Sequence, residues 1–160
     1  MSGSGLVFTS HSAFSGSKQA NILFIACSDF RFRKAFLEFQ RDYLKEAEID
    51  RIIAPGGVLG FFAERYGYLE TGKAMEYWTK FLGEHDGAGE VVLVGHEDCA
   101  VYANAPKLKG QSGQQLIMEQ REDLIAAGQL IANLFPQARI RIFFASIDAA
   151  ENKVMFSEMA

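Results

Sequence analysis

Cysteine is nearly absent from this chain, with two thiols, Cys27 and Cys99, in 160 residues. Two cysteines cannot make the framework of a disulfide-stapled miniature domain, and a chain of this length buries enough surface to do without one. Tryptophan occurs once and proline three times, which excludes proline-rich linkers and recognition tracts. No stretch reaches the roughly 18 uninterrupted apolar residues of a membrane span. Nor is charge of one sign massed anywhere. Sixteen basic residues against twenty acidic ones leave a formal charge of -4, which argues against nucleic acid or an anionic membrane as partner. The first twenty residues are rich in Ser and Gly and have neither the basic start nor the long apolar centre of a secretory signal. The expectation is a cytoplasmic protein, with residues 1–20 as a flexible arm and residues 21–160 as one domain.

What the chain does have is apolar residues, 49% of the total, in two alternating patterns. Residues 21–27 (NILFIAC), 49–54, 90–95 (EVVLVG) and 139–145 (RIRIFFA) are short apolar runs of strand length. Residues 153–156 are a candidate short edge strand. Between the runs, Phe36, Phe39, Tyr43 and Leu44 recur at helical spacing and predict a helix from Phe32 to about Ala47. Ala74, Tyr77, Trp78, Phe81 and Leu82 predict a second helix. Ile117, Leu124, Ile131 and Leu134 predict a long third one over 113–135, stopped by Pro136. Pro55-Gly56-Gly57 terminates the second strand, and residues 58–68 are apolar without a clean period, a loop or short helix. Strands separated by helices of this length form βαβ units. The fold class is therefore α/β, a mainly parallel sheet of order about 2-1-3-4 with helices on both faces.

Such sheets collect ligands outside the carboxyl ends of their strands, where strand order reverses. Cys27 ends the first strand, and His96 and Cys99 immediately follow the third. Singly, Cys27 reads as a small buried hydrophobe and His96 as a hydrogen-bonded loop histidine. Together they change meaning, because zinc prefers thiolate and imidazole and a catalytic zinc takes three protein ligands. A Cys27–Cys99 disulfide does not suit a reducing compartment, and His11 and His85 sit in polar contexts outside this pattern. Asp29 and Arg31, two apart on the loop leaving the first strand, can form a bidentate pair facing the same crevice. Alone they read equally well as a surface ion pair or a helix N-terminal acid. Beside a metal, Asp29 would either accept a hydrogen bond from the fourth-position water or occupy that position itself, with Arg31 holding it. Phe30, Val58, Leu59, Phe61 and Phe62 are candidates for an apolar wall, although each singly is more simply core.

The C-x-D-x-R motif at Cys27 to Arg31, with H-x-x-C at His96 to Cys99, closely resembles the β-class carbonic anhydrases. The strings ACSDFR, GHEDC and FASIDAAENKVMF agree with that family, and the resemblance spans residues 20–158. It implies a zinc enzyme hydrating carbon dioxide to bicarbonate, built as a homodimer or a multiple of one. Cys27, His96 and Cys99 would be the zinc ligands, with Asp29 and Arg31 as the orienting dyad. Three features depart from the pattern, one of them a somewhat long stretch between the two motifs that carries Phe61-Phe62. Ala54-Pro55-Gly56-Gly57 replaces an Arg-Asn-Ala-Gly-like segment, and Ala100 stands where the family has glycine. These departures bear on substrate and rate more than on the metal. They leave open a hydrolase of a sulfur analogue, such as carbonyl sulfide or carbon disulfide, and a non-catalytic zinc-binding relative.

Overall fold

A computed structural model describes residues 16, 19–45 and 48–159. The expected arm therefore lies outside the described residues, except for Gly16, Gln19 and Ala20. The sheet is built on β1 (Ile22–Cys27), apolar throughout, and β3 (Glu90–His96), apolar from Val91 to Gly95, and every residue of the two strands but Glu90 is buried. A strand covered on both faces needs this pattern, because neither set of alternating side chains meets water. β1 and β3 lie side by side and parallel, flanked by β2 (Ile49–Ala54) and β4 (Arg139–Asp148). β5 (Lys153–Met159) pairs antiparallel with β4, so the order is β2-β1-β3-β4-β5. This is the expected α/β sheet with its edge strand. β4 runs three residues past the expected Ala145, because its turn into β5 is closed by Asp148 Oδ1, which accepts from the backbone N–H groups of Ala150 and Glu151.

Alternation along the strands makes two cores. Phe24 and Ala26 of β1, with Val92 and Val94 of β3, face Phe36 and Phe39 of the first helical segment. Leu23 and Ile25, with Val91 and Leu93, face Leu124, Ala127 and Ile131 of the longest helix. Full burial of each such large side chain contributes about 1.5–3 kcal/mol. The first helical segment, α1 (Arg33–Glu38), continues as a wider π-turn over Phe39–Leu44 and ends at Lys45, whose φ is +54°. It is thus not the uniform helix expected from Phe32, and the expected end at Ala47 lies outside the described residues. α2 (Gly72–Asp86) and α4 (Gly113–Leu134) are the other long helices, with α3 (Ala100–Ala103) between them. Ser112 and Gln115 close a reciprocal capping box at the start of α4. Residues 58–68 fall largely in two 3-10 turns, Gly57–Phe61 and Ala63–Tyr66. No helix among the described residues is long and apolar enough to cross a membrane.

The chain leaves β1 for β2 on one side and then reaches β3 on the other. The order therefore reverses between β1 and β3, and the carboxyl ends of those two strands bound a crevice.

Candidate metal centre

Strand parity decides how each donor enters this crevice. Cys27 is in phase with Leu23 and Ile25, and it packs among Leu59, Ala63, Tyr102 and Cys99. His96 is in phase with Val92 and Val94, and its ring lies on Phe32 with centroids 4.2 Å apart. Cys99 stands immediately before α3, at the end of the turn that leaves β3. The three side chains each offer a donor atom, and these atoms lie within 4.8 Å of one another. All are withdrawn from solvent, with 5%, 1% and 3% of their surface exposed for Cys27, His96 and Cys99. Among the described residues they form the one cluster of three or more His, Cys, Asp or Glu side chains with metal-binding geometry.

The protonation pattern of the cluster suits a cation. His96 Nδ1 lies 2.8 Å from the carbonyl oxygen of Glu97. A carbonyl only accepts, so Nδ1 carries the proton and Nε2 keeps its lone pair. Nε2 is buried and has no hydrogen-bond partner, a condition that costs about 1–3 kcal/mol if nothing fills it. Both thiols are free, with their sulfurs 4.0 Å apart. That contact sets their acidities apart. The hydrogen bond from Cys99 holds the Cys27 thiol well below its ordinary range, against the opposing effect of burial. The same hydrogen bond, followed by burial, pushes Cys99 up. The Gly56 backbone N–H also donates to Cys27 Sγ at 3.3 Å, which favours sulfur as thiolate. Two soft sulfurs and an unpaired imidazole nitrogen are the donor set that zinc takes.

Asp29 and Arg31 meet as expected. Arg31 Nη2 donates to Asp29 Oδ2 at 2.6 Å, and Nε lies 3.1 Å from both carboxylate oxygens. The Arg31 backbone N–H adds a fourth contact, to Asp29 Oδ1 at 3.0 Å. The guanidinium hydrogen bond, ahead of the opposing desolvation, keeps Asp29 below the ordinary carboxylate range. Both residues line a cavity of about 540 Å³ with Cys27 and Cys99.

The expected apolar wall is only partly present. Leu59 lies in the cluster around Cys27, and Phe62 packs against its edge. Val58 and Phe61 belong instead to the core shared with α4. Phe30, on the turn between β1 and α1, lines the same cavity as Asp29 and Arg31 but is 83% exposed. His85 stacks on Phe81 of α2, and His11 lies outside the described residues. Three residues of the site escape a reading from the sequence. Gly56 supplies its N–H to Cys27, Gly57 packs against the Cys27 backbone, and Asp98 binds Arg31. Pro55-Gly56-Gly57 signals a strand end, which is all that composition can indicate there.

No protein-family model matches the sequence, and no curated protein matches it either. Solved structures do. The β-carbonic anhydrase CafA of Aspergillus fumigatus is 15% identical with a TM-score of 0.58, over 89% of this chain and 76% of that one. The carbonic anhydrase of Streptococcus mutans is 15% identical with a TM-score of 0.55, over 91% and 87% of the two chains. The fold is that of the β-carbonic anhydrases. A carbon disulfide hydrolase in its apo form also matches, at 13% identity and a TM-score of 0.50, over 86% of this chain and 78% of that one. At these identities the likeness is one of β-carbonic anhydrase fold, and chemistry has to be argued from the side chains at the strand ends.

Proposed function

We propose that this chain is a zinc-dependent hydrase converting carbon dioxide to bicarbonate. Cys27, His96 and Cys99 would hold the metal, and Asp29 with Arg31 would orient the reacting water. The observation that carries this reading is the buried, unpartnered Nε2 of His96 beside two unoxidised sulfurs. Zinc, when bound, supplies acidity, lowering the pKa of a coordinated water from 15.7 to about 7.

The rest falls to the protein. Thiolates at Cys27 and Cys99 reduce the charge of the ion, so the site depends on a further hydrogen-bond acceptor to stabilise the reactive form of water. Asp29 is that acceptor. Arg31 keeps it ionised and turned aside from the donors. Because Arg31 Nε divides its proton between both carboxylate oxygens, one oxygen can accept from a water without breaking the Nη2 bond. Leu59 and Val101 give the neighbourhood apolar surface on which a nonpolar gas is not disfavoured.

A homodimer or higher homo-oligomer belongs to the same proposal. Two β-carbonic anhydrases from Sordaria macrospora with this fold, matched at a TM-score of 0.54, are tetrameric. α2 of this chain exposes Tyr77, Trp78 and Phe81 along one side, which is a large apolar area for a lone subunit.

A second reading, hydrolysis of a sulfur analogue of carbon dioxide, is favoured by one observation. A groove of about 530 Å³ lined by Ala54, Pro55, Leu59, Met75 and Val101 adjoins the crevice, and a larger, more apolar linear substrate would fit it well. Metal analysis of the purified chain, combined with stopped-flow hydration of carbon dioxide and an assay of carbon disulfide hydrolysis, tests both. About one zinc per chain with hydration is the expected result. Zinc with sulfide release alone would select the second reading, and zinc with neither would leave a non-catalytic metal protein.

A further inference from the structure

Arg31 has a second partner. Nη1 donates to Asp98 Oδ2 at 2.8 Å, and Nη2 donates to the Asp98 carbonyl oxygen at 2.8 Å. Asp98 lies between His96 and Cys99 and has a φ of +55°. Among residues with side chains, Asp and Asn tolerate that left-handed conformation best. In it, the carbonyl and the carboxylate of one residue meet the same guanidinium. Arg31 therefore bridges the loop that carries Cys27 to the turn that carries His96 and Cys99. It is held on one edge by Asp29 and on the other by Asp98, and it cannot rotate without breaking bonds on both.

This contact is poorly explained as a contribution to overall stability. The Asp98 side chain is 66% exposed and that of Arg31 43%, and an ion pair in that setting adds little to folding. Its consequence is orientation. A guanidinium tied only to Asp29 would follow that carboxylate wherever it moved. One anchored from the opposite side fixes where Asp29 stays.

We infer that Asp98 is a positioning residue of the site: it anchors Arg31, so that Arg31 holds Asp29 in place, and it ties together the two segments that carry the metal-binding side chains. The effect on turnover rests on the carbonic anhydrase reading, whereas the effect on metal retention rests only on the donor cluster.

The test compares the zinc-loaded full chain with D98G and D98N. Glycine accepts the positive φ without cost and keeps the carbonyl acceptor, so D98G removes the carboxylate and little else, at an exposed position where folding is not at stake. Asparagine tolerates the same backbone and retains an acceptor oxygen. Both variants should load about one zinc per chain, as expected of the wild type, because all three donors remain. In D98G, kcat for carbon dioxide hydration should fall about tenfold with KM changed less than about twofold, the pattern of a misplaced group rather than lost substrate binding. Release of zinc to an excess of chelator should be several-fold faster. D98N should recover most of both losses. Wild-type turnover and wild-type release in D98G would overturn the inference, as would a D98N variant no better than D98G. Should the wild-type chain hold zinc but not hydrate carbon dioxide, the proposed function fails by itself. Zinc release then decides the bridge, with faster loss from D98G supporting it and an unchanged rate overturning it.

Discussion

His96 Nδ1 and the carbonyl oxygen of Glu97, the next residue, form a 2.8 Å hydrogen bond that decides which imidazole nitrogen is left for a metal. The bond fixes the tautomer, and with it the direction of the remaining lone pair, before any ion arrives. It also makes the cluster costly when empty, since Nε2 is buried without a partner.

The ligand assignment predicts the effect of truncation directly. Cys99→Ala or His96→Ala removes one of three donors, and affinity for zinc should fall by more than about 100-fold. Elemental analysis after dialysis against a weak chelator should find most of the metal gone. Full retention by either variant would show that the metal sits elsewhere.

The dyad predicts a different signature. Arg31→Ala and Asp29→Asn leave all three sulfur and nitrogen donors in place, so zinc content should stay at the wild-type level. Hydration should nevertheless fall by roughly 100-fold, the usual cost of losing a preorganised polar group. Rates measured from about pH 6 to 9 would show whether either variant matches the wild type at every pH. If one does, Asp29 and Arg31 take no part in the reaction.

Gly57 links backbone geometry to the metal. Its φ is +58°, and a Cβ there would lie 3.0 Å from the Cys27 backbone nitrogen and 3.1 Å from the Ala26 carbonyl carbon. Gly57→Ala should therefore displace Cys27, destabilise the fold by about 1–3 kcal/mol and weaken zinc retention. Gly87→Ala is the matching control, with a φ of +67° but open space around the new methyl group. It should cost about 1 kcal/mol and leave zinc untouched. Equal zinc retention in the two variants would disconnect the Pro-Gly-Gly segment from the site.

Asp86, the last residue of α2, predicts a pH effect on stability. It is 7% exposed and its Oδ2 has no partner. Burial, followed by its contact with Asp50, pushes its carboxyl up to about 6 from 3.8. A folded-state pKa above the unfolded one means that the native state binds the proton more tightly. The resulting stability is fully present below the unfolded value and is lost as pH rises through about 6. Near neutrality and above, the ionised group costs on the order of 1–3 kcal/mol, and the negative end of α2 adds to the cost. Asp86→Asn can donate its amide to Asp50 and should raise Tm by roughly 2–8 °C at about pH 8, with little change at about pH 4. A gain of the same size at both values would rule out ionisation as the cause.

Much of this protein is legible without coordinates because burial is periodic. Runs such as ILFIAC and, after Glu90, VVLVG are apolar at every position, and only strands covered on both faces demand that, so the central pair β1 and β3 and the parallel sheet around them follow. The carboxyl ends of those strands then bring Cys27, His96 and Cys99 together on topology alone. The tertiary structure decided what depends on where distant segments meet. The backbone N–H that reaches Cys27 comes from Gly56, on the turn just past the end of β2. The second partner of Arg31 lies 67 residues away, and the carboxylate that perturbs Asp86 sits on an edge strand. Phe30 is as apolar as Phe32, yet one is exposed and the other buried against His96. Local composition carries the period of burial. The direction of a hydrogen bond and the presence of a neighbour across a turn are set only when the chain has closed on itself.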